Sequence, residues 1–239
     1  MSQQYDNVVN FFTRYRNFKN VYEGQRLNNF IAQFQPFTSS FQQLKEKVTE
    51  ENKRNAPAFN IFSILGLAHY EVRTHSAFLA HLLNPAAEHG QRHLFLQSFL
   101  TFCSQQFSDF SQLTDSVENG RWQIITELHT TYGNLDIVIR SPELSYLCVI
   151  ENKIYAGEQQ DQLQRYSDWM TTVSKEYTEQ ALMYLTLSGA AASTSGKATY
   201  FRLSYRDHIT EWLRQTQQQI SAPSVKAVVA QYIDLIPQL

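Results

Sequence analysis

The chain has 239 residues, with 43% apolar and 13% aromatic side chains and a formal net charge of −2 at pH 7. This composition is typical of a globular protein with an apolar core, and the charge excludes a basic field over the whole molecule. The two cysteines, Cys103 and Cys148, lie in apolar segments and provide neither a disulfide framework nor a metal ribbon. Without a signal peptide or a membrane-length apolar run, we predict a reduced cytoplasmic protein.

The N-terminal segment is predicted to form two amphipathic helices between residues 5 and 54, because its apolar residues recur at helical spacing. The residues that carry this pattern are Val8, Phe11, Phe12, Tyr15, Phe18, Phe41, Leu44 and Val48. Pro57 disfavours helical geometry at Ala56, so the segment is expected to end there. We therefore predict a helical extension over residues 1–56 and a main domain over residues 57–239.

The main domain is predicted to begin with helices and to continue with strands. The part before Asn84-Pro85 and the stretch 93–107 have helical periodicity. Residues 122–152 are rich in β-branched and alternating apolar residues, which predicts three strands. A helix over 161–173, two further strands and two C-terminal helices complete the chain. This order predicts an α/β sandwich with a central mixed sheet flanked by helices.

The segment NLDIVIRSPELSYLCVIENKI predicts two apolar strands joined by a short polar turn. Asp136 lies at the start of the first strand, and Glu151 and Lys153 share one face at the end of the second. An antiparallel pairing about the turn sets Ile139 opposite Cys148 and Asp136 opposite Glu151. Directly opposed residues have Cβ atoms about 5 Å apart, so the three charged groups should converge.

Two carboxylates that face each other repel, and a lysine offsets only part of that repulsion. A divalent cation offsets the rest, and the oxygen ligands of two acids suit Mg²⁺ or Mn²⁺. The alternative is a solvated strand end, where Asp136, Glu151 and Lys153 are surface charges. We predict that a metal ion binds between the two acids.

This hairpin resembles that of the PD-(D/E)XK nuclease superfamily, in which an Asp begins one strand and Glu-x-Lys ends the next. Here the motif reads Asp136 and Glu151-Asn152-Lys153, with Leu135 where the family commonly has proline. Gln162 and Tyr166, four residues apart on a predicted helix, resemble the Q-x-x-x-Y motif of the RecB-like branch.

The segments upstream of the hairpin also resemble this superfamily. The pattern EVRTHSAFLAHLLNP, followed by HG, is similar to an uncharacterised bacterial branch, and the resemblance covers residues 59–236. It implies a restriction-endonuclease-like α/β/α fold and a Mg²⁺-dependent deoxyribonuclease, a hydrolase of phosphodiester bonds acting in genome defence or DNA repair.

The resemblance also implies roles for the residues of the hairpin. Asp136 and Glu151 are expected to bind Mg²⁺ or Mn²⁺ together with the main-chain carbonyl of Asn152. Lys153 is expected to orient the attacking water or to stabilise the developing charge, because the two acids keep its ammonium charged.

Several further residues are candidates for the same site. Gln162 is predicted to orient Lys153 or a phosphate and Tyr166 to support Gln162, although a surface amide and a packed aromatic ring are the simpler explanations. The first-motif acid is either Glu71, on the helix before the strands, or Glu127, on the preceding strand, and we favour Glu71. The predicted substrate contacts are His75, Arg73 and Arg165.

Two other functions remain open at this point. A non-catalytic module that binds protein or nucleic acid would use the charged hairpin as a structural ion cluster and the N-terminal helices to form a homodimer or bind a partner. A zinc hydrolase is suggested by Glu71 and His75, and by His89 and His93, each pair being four residues apart. The chain has no H-E-x-x-H motif, however, and histidines near a helix end commonly bond the backbone.

Overall fold

The computed structural model describes the backbone of residues 2–110 and 117–239, and the side chains of these residues except 2–6 and 8. The chain divides into two compact units after Phe59. The α-helices are α1 (Ser2–Asn55), α2 (Ile61–Ile64), α3 (Ala77–Leu83), α4 (Leu94–Gln106), α5 (Gln162–Thr172), α6 (Thr210–Gln217) and α7 (Pro223–Leu235). The strands are β1 (Gln123–Thr130), β2 (Gly133–Ser141), β3 (Tyr146–Lys153), β4 (Glu179–Thr186) and β5 (Phe201–Ser204).

The second unit is built on a five-stranded sheet whose spatial order, β1-β2-β3-β4-β5, follows the chain. β1, β2 and β3 pair antiparallel, whereas β3 pairs with β4, and β4 with β5, in parallel. A parallel pair needs a crossover connection, and α5 provides it between β3 and β4. The predicted mixed sheet flanked by helices is confirmed.

The sheet buries apolar side chains on both faces, as its near-continuous apolar strands require. On one face, residues such as Ile137, Cys148 and Met183 belong to a large core with side chains of α3, α4, α6 and α7. On the other face, Val149 and its neighbours pack with the apolar side of α5, including Met170. Each such buried side chain contributes about 1.5–3 kcal/mol to stability. This packing fixes α5 against the strands that carry the charged residues.

The N-terminal unit differs from the prediction of two helices, because α1 runs without interruption from Ser2 to Asn55. Pro36 lies inside it. A proline inside a helix removes one backbone hydrogen bond, yet α1 continues on both sides of Pro36. The predicted end is confirmed, since Ala56 adopts a positive φ of 39°. Among the described residues, no helix combines the length and apolar character that crossing a bilayer requires.

The helical stretch predicted before Asn84 is also divided more finely than its periodicity indicates. Gly66 has a positive φ of 66° and Tyr70 is extended, and both conformations interrupt a helix. A π-helical turn over Glu71–Ser76 then leads directly into α3, which ends at Leu83 as predicted. The short pieces turn the chain so that residues 71–76 reach the sheet.

Candidate active site

The hairpin of β2 and β3 has the predicted register, with Ile139 opposite Cys148. Its last ladder pair on the charged side is Ile137 with Ile150, so Asp136 and Glu151 occupy the next position of the same register. The two strand ends are held together there by the main-chain N–H of Asn152, which donates to Asp136 Oδ2 over 2.7 Å.

Lys153 lies beside the two acids, with its Nζ 2.8 Å from Glu151 Oε1. Asp136 is 9% exposed and Glu151 is completely buried. Burial raises the pKa of Asp136 to about 8, and repulsion from the Glu151 carboxylate acts in the same direction. Burial would lower the pKa of Lys153, but the neighbouring Glu151 carboxylate outweighs it and raises that pKa. The arrangement therefore keeps a charged ammonium beside carboxylates that burial disfavours as anions.

The oxygens of Glu151 provide a test of whether these residues fit a divalent cation. Oε1 has the Lys153 ammonium as its ion-pair partner, and in the described part of the chain neither oxygen accepts a hydrogen bond of ordinary geometry. The pKa of Glu151 is raised, chiefly by burial. A buried carboxylate without enough partners is costly, and hard oxygen donors are what Mg²⁺ and Mn²⁺ prefer.

The donor set is smaller than a preformed metal cage. Among the side chains that the structure describes, no three from His, Cys, Asp or Glu are arranged to hold a metal ion. Asp136 and Glu151 supply two oxygen-donor side chains, so they would fit a divalent cation whose remaining ligands are oxygens of water, substrate or the main chain.

A cavity of about 430 Å³ opens beside these groups. Five of the predicted catalytic residues line it: Glu71, Asp136, Lys153, Gln162 and Tyr166. Glu127, the other candidate for the first-motif acid, lines it as well. Asn134 and Gln159 also line it and were not predicted as site residues. The cavity lies on the sheet face that α5 covers, because Glu151 and Lys153 follow Val149 at two-residue steps along β3 and therefore point to the same face as Val149.

Glu71 binds the loop that follows Lys153. Its Oε2 accepts hydrogen bonds from the main-chain N–H groups of Ile154, Tyr155 and Ala156, at 2.8, 2.9 and 3.2 Å. The carboxylate also adds to the charges that raise the pKa of Lys153. Glu71 therefore both fixes the backbone beside the lysine and contributes negative charge to the site.

Glu127 reaches the same cavity from β1. Thr126 pairs with Ile137 and Leu128 with Leu135, so the position of Glu127 is opposite Asp136. It has a positive φ of 53°, and its Oε1 is buried without a hydrogen bond in the described residues. Its charge adds slightly to the raised pKa of Asp136. Both candidates for the first-motif acid thus line the cavity, and the choice between them stays a prediction.

Gln162 and Tyr166 lie on the first turns of α5 and contact each other. Gln162 Nε2 donates to Tyr166 Oη over 2.8 Å, and the Tyr166 hydroxyl donates to the main-chain carbonyl of Asn134. Both side chains are buried. Gly133 has a φ of 135°, and a side chain there would contact the Tyr166 ring. These contacts tie α5 to the β1–β2 turn and orient the Gln162 amide in the cavity lining.

His75 occupies a different place from the one predicted for a substrate contact. Its ring is completely buried, with Nδ1 2.8 Å from Tyr232 Oη and Nε2 3.0 Å from the Ala68 carbonyl. Burial lowers its pKa. Since both ring nitrogens are engaged in the core, His75 supports the π-helical turn and is not available to substrate.

The two predicted arginines lie in different surroundings. Arg73 is exposed on the π-helical turn that carries Glu71. Arg165 is half-buried, and its guanidinium donates to the carbonyl of Tyr132 at 3.0 Å, to that of Gln160 and to the Gln159 side chain at 3.1 Å. Arg165 thus braces the loops at the cavity. Substrate contact by either arginine stays a prediction.

The side chain of Asn152 is held by a buried network that was not predicted. On the sheet face opposite the cavity, its Nδ2 donates to Ser76 Oγ and its Oδ1 accepts from Tyr205 Oη, both at 2.9 Å. Ser76 lies in the upstream pattern that resembles the family. Tyr205 lies 53 residues after Asn152 and belongs to none of the motifs that define the resemblance. The network fixes the peptide between Glu151 and Lys153.

Tyr205→Phe is expected to lower the free energy of unfolding by about 1–3 kcal/mol, because it leaves the buried side-chain oxygen Oδ1 of Asn152 without its donor. Urea unfolding measures the loss. Tyr155→Phe is the matched control, since Tyr155 is 50% exposed and should tolerate removal of its hydroxyl. Equal unfolding midpoints for the two variants would contradict the expectation.

The remaining histidines do not support the zinc alternative. His89 has Nε2 2.9 Å from the Asn84 carbonyl, and its Nδ1 accepts the Gln91 N–H over 2.9 Å. His75 is engaged in the core, and no three ligand side chains are gathered anywhere in the described ranges. His89 therefore stabilises the loop after α3, as histidines near a helix end commonly do.

The mixed five-stranded sheet, its flanking helices and the charged hairpin define a restriction-endonuclease-like α/β fold. Residues 59–234 match a family model described as the PD-(D/E)XK nuclease superfamily. The chain therefore belongs to this superfamily, which confirms the resemblance drawn from its motifs. Comparison with curated proteins gives no match, and comparison with solved structures gives none either.

Proposed function

We propose that the protein is a metal-dependent deoxyribonuclease that hydrolyses phosphodiester bonds in the cavity beside the β2–β3 hairpin. The observation that carries this proposal is the grouping of Asp136, Glu151 and Lys153 at one end of the hairpin, with the Glu151 carboxylate buried. Membership of a nuclease superfamily supports the same chemistry.

Asp136 and Glu151 would hold Mg²⁺ or Mn²⁺, with the Asn152 carbonyl as a third oxygen donor. A bound divalent ion lowers the pKa of its water and polarises a phosphoryl oxygen. Both carboxylates are held in place for this role. Glu151 is fully buried, and Asp136 accepts a hydrogen bond from the main-chain N–H of Asn152.

Lys153 acts as an electrostatic stabiliser in this proposal. Its pKa is raised by the Glu151 carboxylate, so it is protonated at neutral pH and is not a general base. Its ammonium instead orients the attacking water and offsets the charge that develops on the phosphoryl oxygens. Gln162, held by Tyr166, offers its amide to a phosphate or to Lys153.

The substrate we propose is DNA, bound through its phosphates with Arg73 and Arg165 near the cavity, in genome defence or DNA repair. The net charge of −2 supplies no general attraction for a polyanion. We therefore expect binding to be modest and to weaken as salt rises, because each phosphate contact made by a basic side chain releases a counterion.

Cleavage of supercoiled, linear and single-stranded DNA in Mg²⁺ and in Mn²⁺ tests the proposal, with an RNA of the same sequence as the comparison. Lys153→Ala is expected to reduce the rate at least about 100-fold, which is the typical cost of removing a group that stabilises transition-state charge. Lys175→Ala is the matched control, since Lys175 is exposed and outside the cavity lining.

Equal cleavage by the wild type and Lys153→Ala would overturn the role of the lysine. If the wild type neither cuts nor binds metal in calorimetry, the nuclease proposal fails and the non-catalytic binding module is favoured. Cutting of RNA alone would keep the chemistry and change the substrate.

A further inference from the structure

The helix α1 exposes a regular row of large apolar side chains, which we call the heptad stripe. Its members are Leu27, Phe30, Phe34, Phe37, Phe41, Leu44 and Val48, at alternating spacings of three and four residues. Each of them is between 48% and 65% exposed. Monomeric proteins rarely expose so large a contiguous apolar patch, so this stripe requires an explanation.

The spacing of the stripe indicates what kind of surface covers it. A repeat averaging 3.5 residues keeps its members in register with another helix along a left-handed supercoil, whereas a helix packed on a globular core follows a period of 3.6. The composition of the rest of the helix also fits a coiled coil, in which the side away from the partner faces water. On the side of α1 opposite the stripe, every residue between positions 28 and 50 is polar or charged except Ala32 and Pro36.

From this pattern we infer that α1 associates with α1 of a second copy of this chain along the heptad stripe. The inference concerns the N-terminal unit and is independent of the proposed nuclease activity.

The exposed area of the stripe is what a stable two-helix contact needs. A phenylalanine side chain buries about 200 Å². The four phenylalanines, each between 49% and 65% exposed, therefore present on the order of 500 Å² per helix. With Leu27, Leu44 and Val48 added, two facing helices remove roughly 1,400 Å² from water, which lies within the range of specific interfaces.

The charges beside the stripe are compatible with two identical helices. In a parallel pair, the residue before Leu27, Phe34 or Phe41 of one helix faces the residue after the next member of the stripe on the partner helix. These facing pairs are Arg26 with Ile31, Gln33 with Thr38 and Ser40 with Lys45, and none of them brings like charges together. Pro36 and Ala32, whose carbonyl loses its usual donor, both lie on the side of α1 away from the stripe.

Sedimentation velocity of the full chain over a range of concentrations tests the inference. The wild type is expected to sediment as a dimer or larger self-assembly, and the double variant Phe34→Glu/Phe41→Glu as a monomer of 27.8 kDa. Gln35→Glu/Gln42→Glu is the matched control, because it adds the same charge on the outer face and should still assemble. We expect self-affinity to fall at least about 100-fold in the stripe variant only, since buried glutamates are strongly unfavourable.

Two results would overturn the inference. One is a wild type that stays monomeric at every concentration, which would leave the stripe to a different partner. The other is assembly of the stripe variant as tight as that of the control. The wild-type measurement needs no substitution, so it decides the matter even if the variant loses helix content by circular dichroism.

Discussion

Asp136→Asn should abolish metal-dependent cleavage and, in the metal-free protein, raise the melting temperature. Burial and the Glu151 carboxylate raise the pKa of Asp136 to about 8, so its anion is unfavourable in the folded state. Asparagine has nearly the same shape and still accepts the N–H of Asn152, while it removes the charge. At pH 8 we expect a gain of roughly 5 °C, which corresponds to a few kcal/mol for a chain of this size.

The gain should depend on pH in a definite direction. Because the folded pKa of Asp136 is above its ordinary value of 3.8, the folded protein binds the proton more tightly than the unfolded chain. Wild-type stability therefore falls as pH rises from about 4 to about 8, and the advantage of the asparagine variant grows over the same window. Calorimetry in a chelator at pH 5 and pH 8 measures both effects.

Asp234→Asn is the matched control for this experiment, since Asp234 is exposed and should show no such pH-dependent gain. Added Mg²⁺ should raise the melting temperature of the wild type but not of Asp136→Asn, because the variant lacks one of the metal ligands that we propose. A lower melting temperature for Asp136→Asn at both pH values would contradict the proposed repulsion between Asp136 and Glu151.

Glu71→Ala is expected to lower the cleavage rate about 100-fold or more and to destabilise the fold. The substitution removes the acceptor of three main-chain N–H groups just after Lys153. Charge-assisted hydrogen bonds contribute about 1.5–3 kcal/mol each, and the freed loop no longer positions the lysine. Plasmid cleavage at saturating Mn²⁺, together with urea unfolding, measures the two losses.

Glu127→Ala provides the comparison, because Glu127 lines the same cavity but its Oε1 has no hydrogen-bond partner among the described residues. We expect a smaller loss of activity and unchanged or increased stability. Glu71→Gln should restore part of the stability lost in Glu71→Ala, since its amide oxygen accepts the same N–H groups. A greater loss of cleavage in Glu127→Ala than in Glu71→Ala would identify Glu127 as the first-motif acid.

The part of the site that local pattern specifies was predictable from the sequence. The register of Ile139 with Cys148 follows from the two-residue period of the strands and the length of the turn. The contact of Gln162 with Tyr166 follows from their spacing of four residues on a helix. In both cases a short stretch of chain contains all the information that fixes the geometry.

The parts that depend on distant packing were not predictable. Periodicity alone did not reveal that α1 is continuous through Pro36 or that residues 71–76 form a π-helical turn. The core position of His75 depends on Tyr232, which is 157 residues away. Burial against such distant partners decides whether a polar residue faces substrate or the core.

The order of the strands also has a consequence for folding. Neighbours in the sheet are neighbours in the chain, so the hairpin that unites Asp136 and Glu151 closes across a short turn at little cost in loop entropy. Its contact order is low, whereas Glu71 reaches Ile154 across 83 residues. The carboxylate pair thus forms within a single hairpin, whereas Glu71 joins the site only when distant parts of the chain come together.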